Sequence, residues 1–131
     1  MATIDITKDV FDGTIADNDV AFVDFWASWC GPYLAFGPVY EQAAERHPEI
    51  TFAKVDTEDQ QELAGYFNIR SIPTLMVFRE KILLFNQPGA MPESGLRSLI
   101  DQVAAVDMAD VRRQIDQDSV EHAQGAAAHT T

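Results

Sequence analysis

The sequence predicts an α/β domain: a mixed central β-sheet with helices on both of its faces. Three observations lead there. Val20 to Ala27 is almost continuous in apolar residues, as a strand buried on both faces is, and it runs straight into the turn Trp29-Cys30-Gly31-Pro32 and a helix. Stretches with strand and helix patterning follow one another in the order β-α-β-α-β-α-β-β-α. The last two strands are joined only by Arg79-Glu80-Lys81, which demands antiparallel neighbours, whereas the two earlier helical crossovers go with parallel ones.

Taken in order, Thr3 to Thr7 alternates in polarity and predicts a short strand. Val10, Phe11 and Ile15 fall at helical spacing behind Thr7, a suitable N-cap. Asp17-Asn18-Asp19 is a turn before the buried strand from Val20. The helix after Cys30 opens on Pro32, where a missing N–H costs nothing, and Pro38 inside it predicts a kink. His47-Pro48 ends it, because the residue before proline avoids helical geometry. Thr51 to Val55 is the next strand. Thr57 and Gln60 have capping-box spacing for a helix through about Phe67 that turns Leu63 and Phe67 inward. Thr74 to Phe78 and Ile82 to Phe85 are the closing strands. After Pro88-Gly89-Ala90, the spacing of Leu96, Leu99, Ile100 and Val103 predicts an amphipathic helix.

Residues 1–107 therefore read as one domain. Residues 108–131 read as an extension, with a short helix to about 116 carried by Met108, Val111 and Ile115 and a flexible tail after it. The chain has 131 residues and 47% hydrophobic residues, enough for one core, and no apolar run nears the roughly 18 residues of a membrane span. The start lacks the pattern of a secretory signal, so a cytoplasmic setting is expected. A formal charge of −12 argues against nucleic acid as partner, and a monomer is expected. No cofactor and no metal are expected: one cysteine excludes an internal disulfide and a cysteine-built zinc site, and the three histidines are scattered.

The residues point to sulfur chemistry. Cys30 falls at a strand's carboxyl end and at a helix's first turn, where open α/β sheets place their sites. Unpaired N–H groups and the helix dipole stabilise a thiolate there and lower the thiol pKa. Gly31 admits a close substrate backbone and Pro32 stiffens the turn. The bland alternative, a buried structural cysteine, fits such a turn poorly. A Cys–His hydrolase would need a histidine nearby, but His47 lies at the far end of the helix and His122 and His129 in the tail. Asp24 is a lone carboxylate in an apolar strand, and burial without a partner would raise its pKa. The alternative is an acid hydrated near the strand's end.

Val23-Asp24-Phe25-Trp26-Ala27-Ser28-Trp29-Cys30-Gly31-Pro32 resembles the redox-site segment of the thioredoxin family, and further matches follow in order. Lys54-Val55-Asp56 resembles the family's next strand, Arg70-Ser71-Ile72-Pro73-Thr74-Leu75 its cis-proline loop, and Gly89-Ala90 the glycine loop across the groove. The matches lie between about Thr3 and Val106 and imply a thioredoxin fold. The resemblance implies that Cys30 attacks protein disulfides and that Asp24, accompanied by Lys54, lies beneath the thiol. It also implies that Trp29, Ile72, Pro73, Gly89 and Ala90 line a groove for an extended peptide, with Pro73 cis.

Two positions depart from the pattern. Tyr33 stands where the family carries the second thiol, and Leu34 where it usually carries a basic residue. A phenol with an ordinary pKa near 10 cannot supply the attacking sulfur that resolves a mixed disulfide. The expectation is a thiol–disulfide oxidoreductase with an impaired dithiol cycle, which stalls or needs an external thiol such as glutathione or a second protein, a thioredoxin reductase included. The alternative is a non-redox binding module that holds a client in the groove.

Overall fold

The computed structural model describes residues 2–29 and 31–129; the side chains of Pro32, Tyr33 and residues 119–129 lie outside that description. Ten elements follow in order: β1 (Ile4–Asp5), α1 (Lys8–Asp17), β2 (Val20–Trp26), α2 (Gly31–Arg46), β3 (Thr51–Asp56), α3 (Gln61–Tyr66), β4 (Thr74–Arg79), β5 (Ile82–Pro88), α4 (Glu93–Ala105) and α5 (Met108–His129). The strands form one sheet in the order β1-β3-β2-β4-β5. β3 lies parallel to both β1 and β2, and β4 lies antiparallel to β2 and β5. This is the mixed sheet that the two crossovers and the closing hairpin imply.

Period-2 alternation divides the core into two layers. Ala21, Val23 and Phe25 of β2, with Ala53, Val55, Met76 and Phe78, pack under Phe11 and Ile15 of α1 and Leu63 of α3. Phe22, Phe52, Leu75 and Val77 point the other way, onto Phe36 and Tyr40 of α2 and Leu96, Leu99, Ile100 and Val103 of α4. Tyr40 is fully buried, so its hydroxyl needs a partner; it donates to the Ala53 carbonyl at 2.8 Å. By the same alternation Asp24 and Lys54 share the α2 face of the sheet, and they are register partners across β2 and β3.

Local structure departs from the sequence reading in four places. The first strand shrinks from Thr3–Thr7 to Ile4–Asp5, because Thr3 is drawn onto α2, where its hydroxyl donates to Glu41. Thr7 is the N-cap residue of α1 but makes no side-chain cap. The capping box at Thr57 and Gln60 does not form, and α3 begins only at Gln61. The Thr57 hydroxyl donates instead to the Trp26 carbonyl at 3.0 Å, and Gln60 Oε1 accepts from the Lys8 backbone N–H at 2.9 Å. Finally, the helix expected to stop near residue 116 continues to His129. Residues 117–129 contain four alanines, two glutamines and no proline, so nothing stops the helix although its apolar pattern fades.

The end of the sheet away from Cys30's segment is fixed by Arg79. Its Nη1 donates to the carbonyls of Val103, Ala104 and Val106 at 2.8, 3.3 and 3.1 Å. A cation thereby caps the carboxyl end of α4, where the helix dipole favours positive charge. Arg112 of α5 bonds Glu80 in the β4–β5 turn, and Met108 is buried, so the first part of α5 is anchored at that pole.

Candidate functional site

The register of β2 against β4 pairs Phe25 with Thr74, and that of β4 against β5 pairs Thr74 with Pro88. Three segments therefore meet at one end of the sheet: residues 27–29 after β2, 70–73 before β4 and 89–91 after β5. β2 leaves the core at Ala27, which is fully buried, and the chain surfaces at Ser28 and Trp29. Trp29 is 66% exposed. α2 then starts at Gly31, where an added Cβ would meet nothing within 4 Å, so the approach to its first turn is open. Cys30 lies outside the described residues, as do the side chains of Pro32 and Tyr33. Their place in the sequence puts Cys30 next before the first residue of α2 and Tyr33 in its first turn.

Across from Trp29, the Ile72–Pro73 peptide bond is cis. Pro73 is buried, Ile72 half-buried, and Gly89 donates its N–H to the Pro73 carbonyl at 2.8 Å. Gly89 has φ +102°, a left-handed backbone that glycine adopts without strain. Ala90 beside it is exposed. The structure thus brings Trp29, Gly31, Ile72, Pro73, Gly89 and Ala90 to one end of the sheet.

Asp24 lies below this rim with no solvent exposure. The hydrated strand-end alternative is therefore excluded. Neither carboxylate oxygen accepts a hydrogen bond among the described residues. Burial pushes its pKa up from 3.8 to about 7, and the Lys54 charge opposes that rise. Lys54 is held by more than one neighbour: its Nζ lies 3.9 Å from Asp5 Oδ1 and 5.0 Å from the centroid of the Trp26 ring. Asp24 consequently titrates near neutral pH instead of in the usual carboxylate range.

The sequence marks Leu34 only as a departure from the family pattern and Arg70 only as part of the cis-proline loop; neither was assigned a part in the site. Leu34 is 66% exposed, matching Trp29. Arg70 is exposed beside the cis-proline loop, and its Nε donates to Asn68 Oδ1 at 3.3 Å. A signal for Arg70 was available: it is the only charged residue in the stretch from Tyr66 to Phe78. Among the described residues no group of three or more His, Cys, Asp or Glu could hold a metal ion, and no helix is long and apolar enough to cross a membrane.

Comparison with known proteins agrees with the geometry. The thioredoxin family model matches residues 2–102. The chain is 53% identical over 114 residues to "Putative thioredoxin 2" of Streptomyces coelicolor, covering 87% of this chain and 85% of that protein. A match of 114 residues must run past residue 102 wherever it starts, so part of the carboxyl-terminal extension is shared with that relative. Thioredoxin C-3 of Corynebacterium nephridii is 35% identical over 100 residues, covering 76% of this chain and 69% of that one. Among solved structures, thioredoxin from Plasmodium falciparum superposes with a TM-score of 0.70 at 33% identity, over 76% of this chain and 97% of that one. That of Malassezia sympodialis superposes with a TM-score of 0.69 at 32% identity, over 76% and 89%. With the sheet order, the cis-proline loop and these matches in agreement, the chain belongs to the thioredoxin family, a family of thiol–disulfide exchange.

Proposed function

We propose that this protein carries out thiol–disulfide exchange through Cys30 alone, and that its cycle stalls at a mixed disulfide until an external thiol releases it. The observation that carries this reading is the start of α2 at Gly31, directly after the only cysteine of a thioredoxin-family chain. The first N–H groups of a helix have no partner within it, and its dipole is positive there. A thiolate at that position is stabilised and nucleophilic at neutral pH.

The chemistry follows from exchange. The Cys30 thiolate attacks one sulfur of a client disulfide, the S–S bond breaks, and the departing client thiolate takes a proton. Tyr33, where the family carries its second thiol, has no sulfur to attack the new bond. Release requires an external thiol, glutathione or a protein thiol such as that of a reductase. Two such thiols are oxidised to one disulfide for each client disulfide reduced. Trp29, Gly31, Pro32, Ile72, Pro73, Gly89 and Ala90 serve as the peptide groove, where an extended client binds partly through backbone hydrogen bonds. Asp24, accompanied by Lys54, is a proton reservoir beneath the site. The working unit is residues 1–107, with 108–131 as an extension, acting as a monomer in the reducing cytoplasm.

A second reading has its own support. From Phe25 to Tyr40 there is no charged residue in a chain that is 23% charged, and Trp29 and Leu34 of that stretch are largely exposed. An apolar rim of this kind suits a module that holds a client without turning it over. Insulin reduction with dithiothreitol separates the two readings. The exchange reading predicts turnover well below that of a two-cysteine thioredoxin but above the uncatalysed rate, because dithiothreitol can act as the releasing thiol. Turnover equal to that of a two-cysteine thioredoxin would refute the stall, and a rate no higher than without protein would favour the holding module.

A further inference from the structure

We propose that Arg70 and the cleft beside it form a subsite for a carboxylate on the client, so that the protein prefers disulfides with an acidic side chain at one defined distance from the attacked cysteine; this rests on the exchange reading above. Acids outnumber bases 21 to 9 in this chain, and its cations are almost all spoken for. Lys8, Arg46, Lys54, Arg97, Arg112 and Arg113 each lie in an ion pair. Arg79 is committed to the carbonyls at the end of α4. Among the described residues only Arg70 and Lys81 have neither an acidic partner nor a helix end to cap, and Lys81 sits in the β4–β5 turn at the opposite pole.

Arg70 is nevertheless positioned. Asn68 stands in the left-handed backbone region with φ +55°, and its Oδ1 accepts the bond from Arg70 Nε. That leaves the terminal nitrogens of the guanidinium, the pair that grips a carboxylate bidentately, free to serve a ligand. The cleft measures about 160 Å³ and is lined in part by Asn68, Arg70, Ser71, Thr74, Asn86 and Pro88, with no acid anywhere in its wall. The flanking segments, residues 71–78 and 82–92, contain no charge either, so no neighbouring carboxylate in the sequence competes for the guanidinium. Arg70 is two residues from the cis Ile72–Pro73 bond, and Pro88 is next to Gly89, which bonds Pro73. A client strand laid on that loop advances about 3.3 Å per residue, which sets an acidic side chain over the cleft at one position and away from it at the next. Elsewhere on the client, acids are disfavoured by the chain's −12 charge.

The test uses the full chain and peptides activated as 2-pyridyl disulfides, with a single Glu, or a matched Gln, placed one to four residues on either side of the cysteine. Cys30 thiolate takes the peptide sulfur and pyridine-2-thione leaves, which reports the rate. At one position Glu is expected to react about three- to tenfold faster than Gln, with the preference fading at high salt. Arg70→Gln should remove the preference, Arg70→Glu should invert it, and Arg70→Lys should keep only part of it, since an ammonium lacks the planar fork. A preference absent at every position, or retained in Arg70→Gln, overturns the subsite. Neutral 2,2′-dithiodipyridine should react equally with wild type and Arg70→Gln, which shows that the variant is folded and its thiol intact. If wild type fails to react with that reagent, the exchange reading falls and the subsite with it.

Discussion

Tyr33→Cys is expected to raise insulin reduction by at least about a hundredfold at equal concentrations of protein and reductant. Effective concentration sets the size of this gain. On the proposed cycle, a mixed disulfide on Cys30 of the wild type waits for a thiol from solution at millimolar concentration. A thiol three residues along the first turn of α2 lies on the same helical face and attacks as an intramolecular nucleophile, whose effective molarity exceeds that of any added thiol by orders of magnitude. Asp24, proposed above as the proton reservoir, is buried beneath the rim with its pKa raised to about 7, where a proton acceptor works at neutral pH. The same variant should form an internal disulfide on oxidation, visible as a loss of two mass units. A variant that oxidises in this way yet reduces insulin no faster would show that the surrounding groove has lost client binding.

The second large effect concerns stability and pH. Asp24 has a folded-state pKa of about 7 against 3.8 when unfolded, because burial penalises its charge. The folded chain thus holds a proton that the unfolded chain releases between those values, and stability falls as pH rises from about 4 to about 7. Below 3.8 both states are protonated and the cost vanishes. Above about 7 both are ionised and the full cost, on the order of 4 kcal/mol, is present. Asp24→Asn removes the titration while keeping the shape. It should match the wild type near pH 3.5 and exceed it by about 4 kcal/mol at pH 9, with Tm higher by on the order of 10 °C there. Lys54 keeps Asp5 at 3.9 Å in the variant, so the substitution does not strand a cation. Equal melting temperatures at pH 9 would mean that the carboxylate finds partners or water in the folded protein.

Most of the fold was legible because its signals are local and redundant. The apolar run of β2, the proline that opens α2, the His47-Pro48 stop and the short link between β4 and β5 each report on their own neighbourhood, and they agree. The burial of Asp24 was legible too, from its place inside that run. What escaped depends on partners far along the chain. Thr57 and Gln60 have the spacing of a cap, but Thr57 faces the Trp26 carbonyl only because β3 pairs with β2, and Gln60 is claimed by Lys8 at the start of α1. Arg79 reads as an ordinary strand end until α4 is folded back over it. Arg70 is marked in the sequence as the one charge between Tyr66 and Phe78, but that it is a cation at the site without an acidic partner shows only once the ion pairs of the folded chain are known. The extent of α5 was missed for another reason: apolar spacing registers packing, and the last turns of that helix are carried by backbone propensity.

The account stands or falls on a thiol that reacts and is then caught. Reduced protein mixed with a peptide disulfide at neutral pH, with no other thiol present, and followed by intact mass and by fragmentation, addresses this directly. The account predicts one adduct of peptide mass on Cys30 that persists for hours and is discharged within minutes by added glutathione or dithiothreitol. An absence of adduct, or an adduct that leaves without any added thiol, would contradict it.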